Sequence, residues 1–322
     1  MIASVAAQHA DRIHAAIESN GAAKSALVAS WQRSSALHHL DPTERQLPRR
    51  LTEHEFTRAR QHIEPLIRAA QTSLDRLYLA VGGIGCCVLL ADHDGVAVER
   101  RGAVADDDTF HDWGLWTGSV WSEDSEGTNG IGTCLVESRA LTIHRDQHFF
   151  TRNTLLSCTT APIYDHEGNI AAALDVSSCR ADLTEDFLNL ISIAVGDAAR
   201  RIEVENFRLA FPHARIMIVP TAAPSLNALV AVDGEDLVVG ATRSARMALA
   251  ITSETLASRL PAADILGSEV SHGSDLRLAE CGVLERALIR TGGNVTAAAR
   301  SLGISRATFH RKLAKYALRY RR

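Results

Sequence analysis

The sequence predicts an α+β fold, with an antiparallel sheet flanked by helices, then a smaller αβ module and an all-α C-terminal segment. Between about residues 84 and 178, short apolar stretches alternate with turn residues, a pattern typical of strands. On either side, apolar residues recur every three or four positions, which predicts amphipathic helices. Residues 286–322 hold ten of the 34 Lys and Arg residues and none of the 38 Asp and Glu residues. Such a polarised charge indicates a nucleic-acid-binding segment.

The N-terminal segment, 1–50, begins with an Ala-rich stretch that predicts helix to about residue 30, followed by a Pro-containing loop. A long helix is predicted from Thr52, with Glu55 placed to complete a capping box. Pro65 is expected to kink or break that helix. Its apolar stripe comprises Phe56, Ile63, Leu66, Ile67, Ala70, Leu74, Leu77 and Tyr78.

The strand-rich region predicts five strands around one helix, and with its flanking helices it forms a domain over 51–211. The helix begins near Glu126, and the last two strands pair across the turn Asp165-His166-Glu167-Gly168. The five strands are expected at 85–91, 96–101, 141–144, 157–164 and 169–176.

A second long helix follows, to about Phe211, with Asp182 and Glu185 spaced as a capping box. Because it continues directly from the last hairpin, we expect it to pack on the sheet or pair with its copy in a dimer, and to relay changes in the sheet. Its predicted stripe comprises Phe187, Leu190, Ile191, Ala194, Ala198 and Ile202. A small αβ module is then predicted over 212–260, and a Pro-, Gly- and Ser-rich linker over 261–277.

The C-terminal segment, 278–322, predicts two short helices that close on each other as a helix-turn-helix. Asn294 caps the first helix, Gly303 allows the turn, and Ser305 caps the second. The second helix is expected to read DNA. The predicted base-edge contacts are Arg306, Thr308, His310 and Arg311, and the predicted phosphate contacts are Arg300, Lys312 and Lys315, with Ser305 at the same surface. A dimer contact is expected along 279–290, through Val283, Leu284, Ala287 and Leu288.

Aromatic and polar residues of the strand region suggest a small-molecule site. Three tryptophans fall within nine residues of one another in a Gly-punctuated loop, which suits a cover over an apolar ligand or a seal on the sheet edge. The candidate ligand contacts are Trp113, Trp116, Trp121, His144, His148, Phe149, Cys158 and Asp175.

Several function classes are disfavoured by the sequence. The six cysteines form no C-x-x-C pair, so neither a zinc site nor any other metal or cofactor is expected, and reduced thiols are the default. No apolar run approaches the roughly 20 residues that span a bilayer, and no signal pattern begins the chain, so a cytoplasmic location without membrane contact is expected. Thiol-based reduction would need exposed thiolates, whereas Cys86, Cys87 and Cys158 lie in apolar strand patterns.

Three stretches resemble known families. The phrase GGNVTAAARSLGISRATFHRKLAKY resembles the C-terminal helix-turn-helix of Fis-type regulators. The phrases SWQRS, EGTNGIGT, HFFTRN, LSCTTAPIYDHEGNIAAALDVSS and ENFRLAF resemble, in order, the GAF sensor region of acetoin-catabolism-type regulators. Residues 212–260 resemble the opening of a PAS domain, truncated here, and the favoured alternative is a small dimerising αβ module that binds no ligand. Such regulators that activate sigma-54 polymerase carry an ATPase module before the helix-turn-helix, but this sequence has no G-x-x-x-x-G-K-[ST] loop.

The resemblance implies a one-component, non-enzymatic regulator that senses a small catabolic molecule. The implied partners are double-stranded DNA with a palindromic operator, a second copy of the chain, the effector and RNA polymerase. The alternative is a signalling or redox-responsive GAF protein whose basic tail binds nucleic acid without sequence preference.

Overall fold

The computed structural model describes residues 2–19, 21–23, 25–180, 182–219, 227–258, 260–266 and 276–316. It separates into two compact units, Met1–Leu266 and Gly267–Arg322, each of which is described by itself. In the described parts, no helix is both long and apolar enough to cross a membrane.

The first unit is built on a five-stranded antiparallel sheet with the order β2-β1-β5-β4-β3. Its strands are β1 (Cys86–Asp92), β2 (Ala97–Arg101), β3 (Leu141–His144), β4 (Ser157–Tyr164) and β5 (Ile170–Ser178). All five predicted strands are confirmed: β3 and β4 have the predicted ends, and the ends of the other three differ by at most two residues. The fold class is therefore α+β, as the alternating pattern predicts.

The sheet continues beyond β2 through two short extended segments, 118–120 and then 49–51, that form no regular strand. Gly118 N–H donates to Ala97 O at 2.8 Å, and Ala97 N–H donates to Ser119 O at 2.9 Å. On the far side of this segment, Leu51 N–H donates to Gly118 O at 2.9 Å, and Val120 N–H donates to Arg49 O at 2.8 Å. Residues 49–51 thus cover an edge whose backbone groups would otherwise lack partners.

One face of the sheet is covered by α3 (Glu53–His62), α4 (Glu64–Val81) and α8 (Glu185–Ala210). Both halves of the predicted capping box at Thr52 and Glu55 are present. Pro65 breaks the predicted long helix into α3 and α4, because α4 begins one residue before it. The predicted stripe of α3 and α4 packs into the core that these helices share with the sheet.

Two predictions for α8 are wrong. Its N-cap is Thr184, which accepts a hydrogen bond from Phe187 N–H, whereas Asp182 pairs with Arg180. Leu190 is 62% exposed because the buried positions follow a helical repeat that leaves it outside. The buried apolar positions are Leu188, Ile191, Val195, Ala198, Ala199, Ile202 and Phe207.

The other face of the sheet is covered by the short helices α5 (Asp107–Asp112), α6 (Glu123–Glu126) and α7 (Gly130–Glu137). We call this face of β1, β5 and β4 the α7 face. The N-terminal helices α1 (Ile2–Glu18) and α2 (Ala26–Gln32) pack against the connection between β3 and β4 through Ile13, Trp31, Phe149 and Phe150.

A second sheet of three antiparallel strands follows α8, in the order β6-β7-β8. Its strands are β6 (Arg215–Ile218), β7 (Leu229–Val232) and β8 (Val238–Ala241), with helices α9 (Arg243–Leu249), α10 (Ser253–Ala257) and α11 (Ala262–Leu266). Thr242 caps α9 by accepting from Ala245 N–H. This αβ arrangement matches the predicted module, and its separation as a domain remains a prediction.

The second unit contains α12 (Leu276–Arg290), α13 (Val295–Ser301) and α14 (Arg306–Lys315). The predicted caps form: Asn294 accepts from Thr296 and Ala297 N–H, and Ser305 accepts from Thr308 N–H. Gly303 has φ +65, which suits the tight turn between α13 and α14. The apolar face of α12 is not available for the predicted dimer contact. Leu284, Ala287 and Leu288 are buried in the core of this unit, and Val283 alone of the four is exposed.

Candidate functional site

The α7 face carries a row of residues from four neighbouring strands. Arg100 on β2 lies opposite Leu89 on β1, Leu89 lies opposite Asp175 on β5, and Asp175 lies opposite Thr160 on β4. Residues directly opposite each other in an antiparallel sheet point to the same face. The register therefore places one cationic and one anionic side chain on a face whose other members are mostly apolar.

Asp175 is 1% exposed and accepts two hydroxyl hydrogen bonds. Thr160 donates to Oδ1 at 2.5 Å, and Ser177 donates to Oδ2 at 2.6 Å. Burial raises the pKa of Asp175 to about 6, although the two hydroxyls oppose the shift. Gly130, the first residue of α7, lies directly over this carboxylate, since a Cβ there would come within 2.9 Å of Oδ1. The N-terminus of α7 therefore packs closely on the sheet.

Cys158 and His148 form a buried neutral pair beside Asp175. The sulfur lies 3.4 Å from His148 Nε2, and His148 Nδ1 lies 2.9 Å from Arg145 O. A carbonyl accepts only, so Nδ1 carries the proton and Nε2 accepts from the thiol. Burial lowers the pKa of His148 to about 4 and raises the pKa of Cys158. This is the opposite of the environment that activates a thiolate.

Ser177 connects this pair to the carboxylate, with its hydroxyl 3.1 Å from Cys158 Sγ and 2.6 Å from Asp175 Oδ2. Three of the predicted ligand residues, His148, Cys158 and Asp175, are thus joined in one buried polar line. Thr160 and Ser177 belong to the same line, and the sequence interpretation missed them. The alternation of side chains along β4 and β5 could have identified them. Thr160 is two residues from Cys158, and Ser177 is two residues from Asp175, so the members of each pair lie on the same face of the sheet.

Arg100 is the other residue that the sequence interpretation missed. Its Nη1 donates to Asp107 Oδ1 at 2.7 Å, and its guanidinium lies 4.2 Å from the Trp116 ring centre and 5.5 Å from that of Phe110. The side chain is 10% exposed, and among the described residues neither Nε nor Nη2 has a hydrogen-bond partner. Gly102 leaves no room for a side chain beside Nη2.

The three tryptophans of the loop lie around this part of the α7 face. Trp121 is buried in its core and donates from Nε1 to Gly114 O at 2.9 Å. Trp113 packs against the same core, and Trp116 stacks on Arg100. The loop that contains them also forms part of the sheet edge, so the two expected uses of these rings are compatible.

Two predicted ligand residues lie elsewhere. Phe149 packs with Ile13, Trp31 and Phe150 under the N-terminal helices, because the chain turns away from the sheet after β3. His144 is half-buried at the end of β3, where its Nδ1 lies 2.7 Å from Ser157 Oγ. A surface groove of about 900 Å³ lies between α3, the β1–β2 turn and α7, and none of the eight predicted ligand residues lines it.

A buried polar cluster attaches α2 to the loop before α7. Glu123 accepts from Ser30 Oγ at 2.7 Å and from Arg33 Nε at 2.6 Å, and Ser30 Oγ also lies 2.7 Å from Thr128 Oγ1. Trp31 Nε1 donates to Gln147 O at 2.9 Å. The N-terminal motif Ser30-Trp31-Gln32-Arg33 therefore meets the Gly-rich motif 126–133 through specific side chains.

The second unit presents a basic surface on α13 and α14. Phe309 and Leu313 are buried beneath α14, whereas Arg306, His310 and Arg311 are exposed, as is Arg300 on α13. Lys315 is also exposed, near the Tyr316 ring. An outward row of this kind is what a recognition helix offers to the major groove.

Three residues predicted to contact DNA are engaged within the unit. Ser305 acts as the N-cap of α14, and Thr308 Oγ1 lies 2.9 Å from Ser305 Oγ. Lys312 is half-buried and pairs with Glu280 of α12, which also accepts from Tyr316 Oη. Lys312 therefore lies to the side of the exposed row, because its helical position is next to Leu313.

Comparisons with known proteins agree with this architecture. Residues 6–203 match the family described as MimR, N-terminal domain, and residues 275–316 match the one described as bacterial regulatory protein, Fis family. The chain is 33% identical over 277 residues to the acetoin catabolism regulatory protein of Cupriavidus necator, covering 82% of this chain and 41% of that protein.

It is 30% identical over 180 residues to the propane 2-monooxygenase operon transcriptional activator MimR of Mycolicibacterium smegmatis, covering 54% of this chain and 29% of that one. The chain thus spans less than half the length of either relative. A chain of the E. coli DhaR(N)–DhaL complex shares the fold, with a TM-score of 0.52 at 13% identity over 81% of this chain and 86% of that one.

Proposed function

The chain belongs to the family described as MimR, N-terminal domain, and from this membership we propose that it is a DNA-binding transcriptional regulator controlled by a small molecule. The observation that carries the proposal is the presence, in one chain, of a buried polar line on the α7 face and an outward basic row on α14. The first is suited to a compact ligand, and the second to the major groove.

We propose that the effector is a small catabolic metabolite that binds over the α7 face. The relatives are named for operons of acetoin and propane metabolism, which supports a compact, weakly polar compound. Asp175, Cys158, His148 and the tryptophans Trp113, Trp116 and Trp121 are the proposed contacts. His144 and Phe149 are proposed to act indirectly, through the segment that connects β3 and β4.

Regulation is proposed to proceed without ATP hydrolysis. The 322 residues contain no G-x-x-x-x-G-K-[ST] loop, so the usual cradle for a nucleoside triphosphate is missing from this sequence. The proposed partners are a palindromic DNA operator, a second copy of the chain and RNA polymerase. Two copies are proposed because one recognition helix reads few base pairs, and paired half-sites lie about one helical turn apart.

The DNA-binding part is tested by two substitutions on the exposed row. Arg306→Ala should cost roughly 1–3 kcal/mol on the cognate site and relax its sequence preference, because Arg306 is proposed to contact a base edge. Lys315→Ala should weaken all duplexes alike, because a phosphate contact carries no sequence information. Titrations of the full chain with sites selected from a genomic library measure both effects.

The same titrations separate this proposal from an interaction module with a sequence-blind basic tail. Selection should return one or a few palindromic sites. Equal loss of specific and random-sequence binding in Arg306→Ala would support the sequence-blind alternative, and a wild-type chain that binds no DNA would refute the proposal.

A further inference from the structure

Arg100 is a buried cation with unused hydrogen-bonding capacity. One of its three nitrogens is bound to Asp107, whereas Nε and Nη2 are buried without partners in the part of the chain that the structure describes. A buried donor without an acceptor is costly, and native structures leave few of them. The unused donors lie beside Trp116 and Phe110, at the end of the row that leads across β1 to Asp175.

The charge of Arg100 is already balanced. Asp107 holds Nη1 at 2.7 Å, so a second anion at the guanidinium would add an uncompensated negative charge to a water-poor site. Asp175, on the same row, would add repulsion wherever it is ionised. The unused donors therefore call for an oxygen acceptor that has no charge.

The opposite end of the row accepts donors. Each Asp175 oxygen holds one hydroxyl, while a carboxylate offers about four acceptor sites in all. Strands β2 and β5 are separated by one strand, which places their backbones roughly 10 Å apart.

We infer that Arg100 determines the specificity of this site, selecting a small uncharged molecule with an oxygen acceptor and rejecting a carboxylate of the same shape. The inference rests on the proposed sensor function and specifies the chemical class of its effector. Asp107 is the residue that sets this preference, by neutralising the guanidinium before the ligand arrives.

Pairs of isosteric compounds test the inference directly. The pairs are acetoin and lactate, hydroxyacetone and glycolate, and butanone and propionate. In each pair, the first compound has a methyl ketone where the second has a carboxylate of the same outline. Binding to the full-length chain is measured by calorimetry and by thermal shift. Wild type should bind the uncharged member of at least one pair about tenfold or more tightly than its anionic partner.

Two variants and a matched control distinguish charge selection from loss of structure. Asp107→Asn leaves Arg100 uncompensated and should shift the preference towards the carboxylate by at least tenfold, while Arg100→Met should lose ketone binding. Arg101→Met is the control, because Arg101 is the next residue on β2 but bonds Asp75 and Gln71 on the opposite side of the sheet. Its ligand preference should match that of wild type.

Tighter carboxylate binding by wild type, or an unchanged preference in Asp107→Asn, would overturn the inference while leaving the sensor function standing. If none of the six compounds binds wild type, the inference and the proposed effector site both fail, and DNA binding by the same preparation tells whether the regulator itself remains. Retained binding of the cognate duplex also verifies that each variant is folded.

Discussion

The titration of one residue, Asp175, should have a measurable effect on the stability of the protein. Its pKa is raised by burial to about 6 from an ordinary value of 3.8, so between those values the folded chain binds more protons than the unfolded chain. Stability should therefore fall as pH rises through this window, by up to about 1.4 kcal/mol per pH unit. Asp175→Asn should remove this slope, remain at least as stable as wild type at pH 7, and lose the ligand response.

Urea unfolding at pH 4.5, 5.5 and 7 measures the difference between the two proteins. The comparison isolates Asp175, because burial also raises the pKa of Glu126 to about 7 and Glu126 adds the same pH dependence of stability to both proteins. Parallel pH profiles for wild type and Asp175→Asn would contradict the assignment of the slope to Asp175.

Arg33 should be important for stability although it lies far from the sheet. It holds Glu123, whose side chain is nearly inaccessible. Among the described residues, Arg33→Met therefore leaves this buried carboxylate with only the Ser30 hydroxyl as a hydrogen-bond donor. We expect a loss of about 3 kcal/mol, at the low end for a broken buried pair because Arg33 itself is partly exposed. Arg68→Met removes the exposed Arg68–Glu64 pair and should cost less than about 0.5 kcal/mol. Equal midpoints for the two variants in urea would refute this.

The residues of the α7 face show which members of the candidate site can be predicted from the sequence pattern and which cannot. Asp175, Cys158 and His148 could be identified because polar residues interrupt apolar strands. Arg100 could not, because the register of β1 and β2 shifts between Leu90 and Ala91. If side chains alternated strictly along β2, Arg100 would lie on the same face as Val98, which faces α4. The irregularity adds one residue to β2 before Arg100, so the Arg100 side chain lies on the α7 face instead.

Among the helices, α8 is the one that joins the α4-covered face of the sheet to the second sheet along the chain. We propose that it relays ligand binding through Phe187, Ile191, Ala194, Ala198 and Ile202, all of which contact the core of that face. Ala194 is half-buried there, so Ala194→Leu should overpack the contact at a cost of roughly 1–3 kcal/mol and bias the switch. Effector affinity should change within the modest range of coupling, about 5–150-fold.

A reporter under the cognate operator measures this effect, with Ile193→Ala as the control because Ile193 is exposed on the same helix. An inducer response in Ala194→Leu equal to that of wild type, at equal protein level, would exclude α8 as the relay.

Helix ends were predictable where the signal is local. Thr52, Asn294 and Ser305 cap the helices that follow them, because each bond spans two or three residues. The buried face of α12 was assigned to a dimer because its partners, Phe309 and Leu313, lie more than twenty residues away in the sequence. Sequence periodicity identifies an apolar face but not the surface that covers it.

For the whole molecule, the class of fold followed from composition and periodicity, whereas the long-range attachments did not. The strand order and the docking of α1 and α2 depend on contacts between residues far apart in the sequence, such as Ser30 with Glu123 and His9 with Thr151. The predicted boundary between segments 1–50 and 51–211 also cuts through a long-range attachment, the pairing of residues 49–51 with 118–120.

That pairing has a consequence for solubility. Backbone groups at an uncovered sheet edge are a template for strand addition by another chain, and thus for aggregation. Leu51→Pro removes the donor to Gly118 O, whereas Leu51→Ala keeps it and shortens only the side chain. Light scattering during mild heating should show aggregation of the proline variant well before the alanine variant, and simultaneous onset would count against a backbone effect. Residues 49–51 would then protect the folded chain against edge-to-edge stacking with its own copies.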